Sequence, residues 1–241
     1  MAAVDGVTAG EAKLPSASAR RIVEVAERLF ALHGIDGVSL RQIAAAAGTA
    51  NNSAVNYHFG SKEGLISAIF QYRLPQLMSE RRMLAARSDP DDLRSRFEAY
   101  YLPVLHIAEA TDNHYVSFVE QLQRRWASTG ASASRAGTLP DLPSEGQESI
   151  EEFRHDLERL LPHLDAPLRP IRIATAISTS LYAAADRERA VAGNFERPPF
   201  ELFVSSLLDG IVGFLEAPVS DATAKWLGRA GDVATHRHHV L

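Results

Sequence analysis

Between Ser39 and Lys62, in SLRQIAAAAGTANNSAVNYHFGSK, hydrogen-bonding side chains stand where a buried helix would carry leucines. Asn51, Asn52, Ser53 and Asn56 bring amide and hydroxyl groups that can bond to base edges, and an asparagine amide matches the N6/N7 edge of adenine. Tyr57, His58 and Lys62 follow directly. They are donors suited to phosphate oxygens, contacts that fix register without reading sequence. Ser39 and Arg41 stand at the start of a separate short apolar stretch. A helix beginning there would offer free N–H groups and a partial positive charge to a further phosphate. The chemistry these residues allow is non-covalent recognition of duplex nucleic acid.

Such contacts need two short helices held at a fixed angle. Ser39 and Gln42 read as a capping box that opens the first. Ile43, Ala46 and Ala47 form its small apolar face, the run Ala44 to Ala47 permits close approach of a neighbour, and Gly48 stops it. The second helix spans about 52–58 and closes at Phe59-Gly60. The pair is built as a helix-turn-helix, whose second helix enters the major groove. A preceding helix from Ala17 to His33 sets Ile22, Val25, Ala26, Leu29 and Phe30 on one face and ends at Gly34. Ser61 caps a fourth helix, with Leu65, Ile66, Ile69 and Phe70 inward, that continues towards Ala86 with a kink at Pro75. Taken residue by residue, the stretch also fits a polar surface hairpin in which the asparagines are caps and His58 is a packing histidine.

The rest of the 241-residue chain reads as all-α. Helices are expected over about 90–111 (kinked before Pro103), 113–127, 147–163, 168–189 and 198–216, with a flexible loop over 128–146 and disordered tails over 1–16 and 217–241. The organisation is thus a head over 17–63, a connecting helix to about 87, and a helical body over 88–216. The net charge of −5 is unevenly spread: residues 17–87 hold nine cations against five anions, a balance of +4, which leaves −9 for the remainder. A basic head on an acidic body suits a protein that docks on phosphates at one end.

The absence of cysteine excludes disulfide scaffolds, thiolate metal sites and cysteine nucleophiles. No apolar run approaches the roughly 20 residues of a membrane span, and MAAVDGVTAGEAKLPSAS lacks a signal-peptide core, so a cytoplasmic protein without a membrane partner is expected. No nucleotide-binding glycine loop, nucleophile elbow or H-E-x-x-H occurs, and neither an enzyme nor a cofactor is expected. His236, His238 and His239 have no acidic or cysteine partners in sequence, so no metal site is read there.

The segment ARRIVEVAERLFALHGIDGVSLRQIAAAAGTANNSAVNYHFGSKEGLISAIF resembles the N-terminal domain of TetR-family transcriptional repressors. It carries the Y-H-F-x-S-K-E signature as Tyr57, His58, Phe59, Ser61, Lys62 and Glu63. The resemblance implies that Asn56, Tyr57, His58 and Lys62 contact operator DNA and that Ser39 and Arg41 rest on its backbone. The chain runs one residue longer than the commonest pattern between Gly48 and Phe59. Base contacts by Thr49, Asn51, Asn52 and Ser53 therefore follow from it less directly than those of Tyr57 and Lys62.

The resemblance further implies a homodimer formed by two body helices, Ile171–Ala185 and Phe200–Leu215. The first would use Ile173, Ala176, Ile177, Ser180 and Leu181, and the second Phe203, Leu207, Gly210, Ile211 and Phe214. The alternative is that these faces pack inside one monomer. It also implies an effector pocket of unknown ligand, for which Tyr101, His106, Tyr115, Phe118, Trp126 and Tyr182 are the bulky or amphipathic candidates. The expected function is a homodimeric repressor released from a pseudo-palindromic operator by a small molecule. The alternatives are an activator with the same head, or a helical small-molecule binding protein without DNA function.

Overall fold

Each long helix of the N-terminal half starts where a side-chain oxygen can take one of its free N–H groups. A computed structural model describes residues 16–49, 53–128 and 142–227 of the chain. Helix α1 (Ala17–His33) is capped by the Ser16 hydroxyl, which accepts from the Ala19 N–H at 3.2 Å. Ser16 is therefore the cap of α1 and not part of the tail that composition suggests. Helices α2 (Leu40–Ala46) and α3 (Ser53–Phe59) follow, and the Ser61 hydroxyl caps α4 (Lys62–Ala85) by accepting from the Gly64 N–H at 3.1 Å. Asp92 does the same for α5 (Leu93–Glu109). The body is completed by α6 (Tyr115–Ser128), α7 (Ser144–Leu160), α8 (Leu168–Ala192) and α9 (Phe200–Glu216). Among the described residues there is no strand.

Two segments differ from expectation. Helix α7 begins at Ser144, inside the stretch read as a loop, because Pro143 pre-sets an entry that Ser144 and Glu145 can continue. A short helical segment, Asp221–Leu227, follows α9 in the region read as a tail. Helices α4 and α5 contain Pro75 and Pro103, as the expected spans do. The expected disorder over 1–15 and 228–241, most of the 128–146 loop, and the tail histidines His236, His238 and His239 lie outside the described residues.

One contiguous apolar core runs from Ile22 in α1 to Leu215 in α9. Head and body meet at an aromatic joint: the Phe118 ring of α6 lies 6.2 Å from Phe30 of α1 and 5.6 Å from Phe70 of α4. No single helix is long and apolar enough to cross a membrane among the described residues.

The expected dimer face of α8 is inside the monomer. Ile173, Ala176, Ile177 and Ser180 are buried and Leu181 is half-buried, because α8 is packed by α5, α6, α7 and α9 and its small residues allow that approach. Its outward face instead carries Ile171, Thr175 and Tyr182. On α9, Val204, Leu208, Ile211 and Leu215 turn inward, while Phe203 and Leu207 are half-buried and Gly210 and Phe214 exposed. Of the expected α9 stripe only Ile211 is lost to the core.

Two buried carboxylates hold the start of α6. Glu27 of α1 takes a two-pronged contact from Arg73 of α4, with Nε and Nη2 each 2.7 Å from a carboxylate oxygen. Its Oε1 also accepts the His114 N–H. Glu188 of α8 accepts the Val116 and Ser117 N–H groups at 2.9 and 2.8 Å. Burial pushes the Glu188 carboxyl up to about 7, overriding the lowering effect of these hydrogen bonds. Because this value lies above the unfolded one, the folded chain binds the proton more tightly. Stability from this group is thus greatest at low pH and declines as pH rises from about 4.5 to about 7, by roughly 3 kcal/mol at most. Urea unfolding at pH 5 and pH 8 tests this: the stability difference between wild type and Glu188→Gln should shift towards the variant at the higher pH. An unchanged difference would rule out a titrating Glu188.

Candidate nucleic-acid interface

The expected capping box closes reciprocally. The Ser39 N–H donates to Gln42 Oε1 at 2.8 Å and the Gln42 N–H donates to Ser39 Oγ at 3.3 Å. Ser39, Arg41 and Gln42 are exposed together at the start of α2. The helix buries Ile43 and Ala44, and leaves Ala46 exposed and Ala47 half-buried. Its apolar face is therefore one step away from the expected Ile43, Ala46, Ala47 set, because a seven-residue helix has room for only one inward turn. Gly48 at φ +69° reverses the chain, a left-handed conformation that glycine adopts without strain. Thr49 locks the reversal: its N–H and its hydroxyl both donate to the Ala44 carbonyl, at 3.2 and 3.0 Å.

Helix α3 is anchored by Val55, which is fully buried. That pivot was not singled out in the sequence, where it is the lone branched apolar residue among polar neighbours; its position in the middle of a polar helix is the available signal. With Val55 inward, Asn56, Tyr57 and His58 are exposed side by side, and Tyr57 is 84% exposed. The Tyr57 and His58 rings meet edge to face at 5.3 Å, and Phe59 tucks partly under the helix. Gly60, also left-handed at φ +69°, hands the chain to Ser61. Lys62 reaches back and donates to the Ile35 carbonyl at 2.9 Å, bracing the α4 start against the loop after α1. Asn51 and Asn52, and the side chain of Ser53, lie outside the described residues.

The head's positive charge is sorted by the fold. Arg73 pairs with Glu27 and Arg81 turns towards the body, whereas Arg20, Arg21, Arg28 and Arg41 are exposed, as is Arg82 in its surface pair with Glu145. Of the head's anions, Asp36 and Glu63 both face Arg125 of α6, at 3.2 and 3.9 Å. These are exposed pairs worth little in stability, but they offset negative charge on the head.

In the body, a cavity of about 100 Å³ lies between α4, α5, α6, α7 and α8. Of the six candidate pocket residues, Tyr101 and Tyr115 line it. The Tyr101 hydroxyl donates to the Ile177 carbonyl at 2.9 Å. Phe118 belongs to the head–body joint instead, and Trp126 is half-buried near the end of α6. His106 faces outwards, 2.5 Å from Glu80 Oε1 and over Phe200 of α9, and Tyr182 is 54% exposed on the outer face of α8. Arg81, Tyr100 and Gln123 also line the cavity and were not anticipated, since nothing in their local sequence distinguishes them from surface polar residues.

A three-helix head with an exposed polar third helix, joined through α4 to an all-helical body, defines a helix-turn-helix protein of the two-part helical type. Residues 22–69 match the family described as bacterial regulatory proteins, tetR family. The matched residues are those of the head, from within α1 to within α4. The chain is similar to the HTH-type transcriptional repressor AcnR of Corynebacterium glutamicum, at 36% identity over 69 residues, which cover 27% of this chain and 36% of that protein. The match thus spans about a third of that relative's length. Most of the fold is similar to solved structures, among them the following two. One is the ketosteroid transcriptional regulator KstR2 of Mycobacterium tuberculosis (17% identity, TM-score 0.52, 82% of this chain and 96% of that one). The other is the fatty acid degradation regulator FadR of Bacillus halodurans (15% identity, TM-score 0.54, 85% and 99%).

Proposed function

We propose that this chain is a homodimeric transcriptional repressor that binds operator DNA through α2 and α3 and is released by a small molecule bound in the body. The observation that carries the reading is the exposed trio Asn56, Tyr57 and His58 on a helix pinned by Val55, with Arg41 exposed at the neighbouring helix start. The repressor named among its relatives supports the sign of regulation. In a two-fold dimer the two α3 helices would enter successive major grooves roughly 34–36 Å apart. The outward apolar residues Ile171 and Tyr182 of α8 and Leu202 and Phe214 of α9 support a dimer contact there. An effector that favours a different head spacing would release DNA by population shift. Here Asn56 reads bases, while Arg41, Tyr57, His58 and Lys62 hold the backbone.

Band-shift titration against the DNA flanking its own gene, across a salt series, tests the reading. Salt-sensitive retardation is expected, and none with any flanking fragment would overturn it. Arg41→Ala should weaken binding on all sequences and reduce the slope of log affinity against log salt by about one. Asn56→Ala should in addition relax preference at one base pair, at a cost of roughly 1–3 kcal/mol. Uniform weakening across operator variants would remove Asn56 from the base readers.

A further inference from the structure

The body cavity has an uneven chemistry. Phe70, Leu74 and Leu77 of α4, Val104 of α5 and Val119 of α6 give it apolar walls, and no carboxylate lines it among the described residues. Into this wall comes one cation, Arg81. Its guanidinium lies 3.7 Å from the centre of the Tyr100 ring, a distance possible only over the ring face. Phe153 stacks on the same ring at 3.9 Å and nearly parallel, so it must occupy the opposite face. The Tyr100 ring is thus clamped, and Arg81 is clamped on it. Its Nε donates to the Tyr100 carbonyl at 3.1 Å and its Nη1 to Ser149 at 3.4 Å. Among the described residues Arg81 makes no ion pair; on its outer side Arg81 and Tyr100 also line a neighbouring groove with Glu145, Glu148 and Glu152, where Glu145 pairs with Arg82.

Other donors stand beside it. The Tyr100 oxygen accepts from Arg81, the Tyr115 hydroxyl makes no hydrogen bond among the described residues, and burial raises both phenols above their ordinary value, so they stay protonated and able to donate. The cavity therefore has donors and positive charge in excess of acceptors. A cationic ligand would be repelled, and a neutral apolar one would leave the guanidinium facing hydrocarbon, a costly arrangement. A nucleotide or other large anion is far too big. The space is somewhat smaller than the roughly 150 Å³ apolar cavity that accommodates benzene, so one ring or a short branched chain is the limit after modest side-chain movement.

We propose that the cavity binds a small apolar monocarboxylate, with Arg81 receiving the carboxylate and the phenols of Tyr100 and Tyr115 completing its hydrogen bonds. The proposal deepens the effector step of the reading above and rests on it only for the regulatory consequence. Isothermal titration of the full chain with isobutyrate, isovalerate, benzoate and phenylacetate, each paired with its neutral amide, is the test. At least one acid should bind about tenfold or more tightly than its amide, as expected of a charge-assisted contact in an apolar site. In Arg81→Gln that preference should vanish while amide affinity is retained, and Tyr115→Phe should weaken the acids alone. Equal binding of acids and amides, binding by none of the four acids, or an undiminished preference in Arg81→Gln would each overturn it. If Arg81→Gln does not fold, the acid-against-amide comparison on the unaltered chain and on Tyr115→Phe decides. Operator release is measured separately. Acid binding without DNA release keeps this proposal and sinks the effector reading; DNA release by uncharged compounds with no acid binding does the reverse.

Discussion

Replacing Arg73 by Met is expected to lower the unfolding free energy by about 3–5 kcal/mol, which removes much of the margin of a domain of this size. Glu27 is only 2% exposed, and Arg73 supplies both of its short charged contacts. Without Arg73 the carboxylate must stay charged and buried with one backbone N–H for company, or take up a proton at a cost. The damage would spread, because the same Glu27 oxygen accepts from His114 at the start of α6 and so ties α1, α4 and α6 together. Glu27→Met should be comparably harmful, since it strands a guanidinium that is 22% exposed. The double variant should recover much of the loss, because two apolar side chains of similar size replace a desolvated pair. Urea unfolding followed by circular dichroism measures all four corners of this cycle. Losses that simply add in the double variant would mean that the pair is not coupled.

Phe118→Ala should cost a similar amount, about 3–5 kcal/mol, through the cavity it leaves. The ring is fully buried and touches Phe30 of the head, Phe70 of the connecting helix and Tyr115 of its own helix. Phe118→Leu should be much milder, because most of the volume is kept. The loss corresponds to a fall in melting temperature of about 10 °C for a chain of this length. Because the core is continuous from head to body, tryptophan fluorescence and far-ultraviolet dichroism should fall at the same midpoint in the variant as in the parent. Separate midpoints would mean that head and body melt independently and that Phe118 is not a joint.

Most helix starts were readable from a few residues each. Ser39 with Gln42 and Ser61 with Gly64 close the caps that their spacing implies, and the apolar positions of α1 fall inward, because capping and periodicity depend on atoms only three or four residues apart. The exposed Asn56, Tyr57 and His58 follow from the same local rule once Val55 is the inward residue. The readings that changed were of another kind. Ile173, Ala176, Ile177 and Ser180 look alike whether their partner is a second chain or α5 and α6 of the same one, and they proved to face the same one. Composition places Ser16 in a tail, whereas its hydroxyl caps α1.

By itself the sequence determined the helix-turn-helix head, its caps and its exposed polar helix, since each is a short-range pattern with a short-range cause. Only the tertiary structure decided which charges belong to the surface. It sends Arg73 to a buried glutamate 46 residues away and Arg81 onto the ring of Tyr100, leaving Arg41 exposed on the outside. It also brought Arg81, Tyr100 and Tyr115 to one apolar cavity while sending His106 and Tyr182 to the surface. The physical reason is that a pocket's chemistry is the sum of side chains from five helices. Helix periodicity gives each residue's angle about its own axis, but not which neighbouring helix that angle will meet.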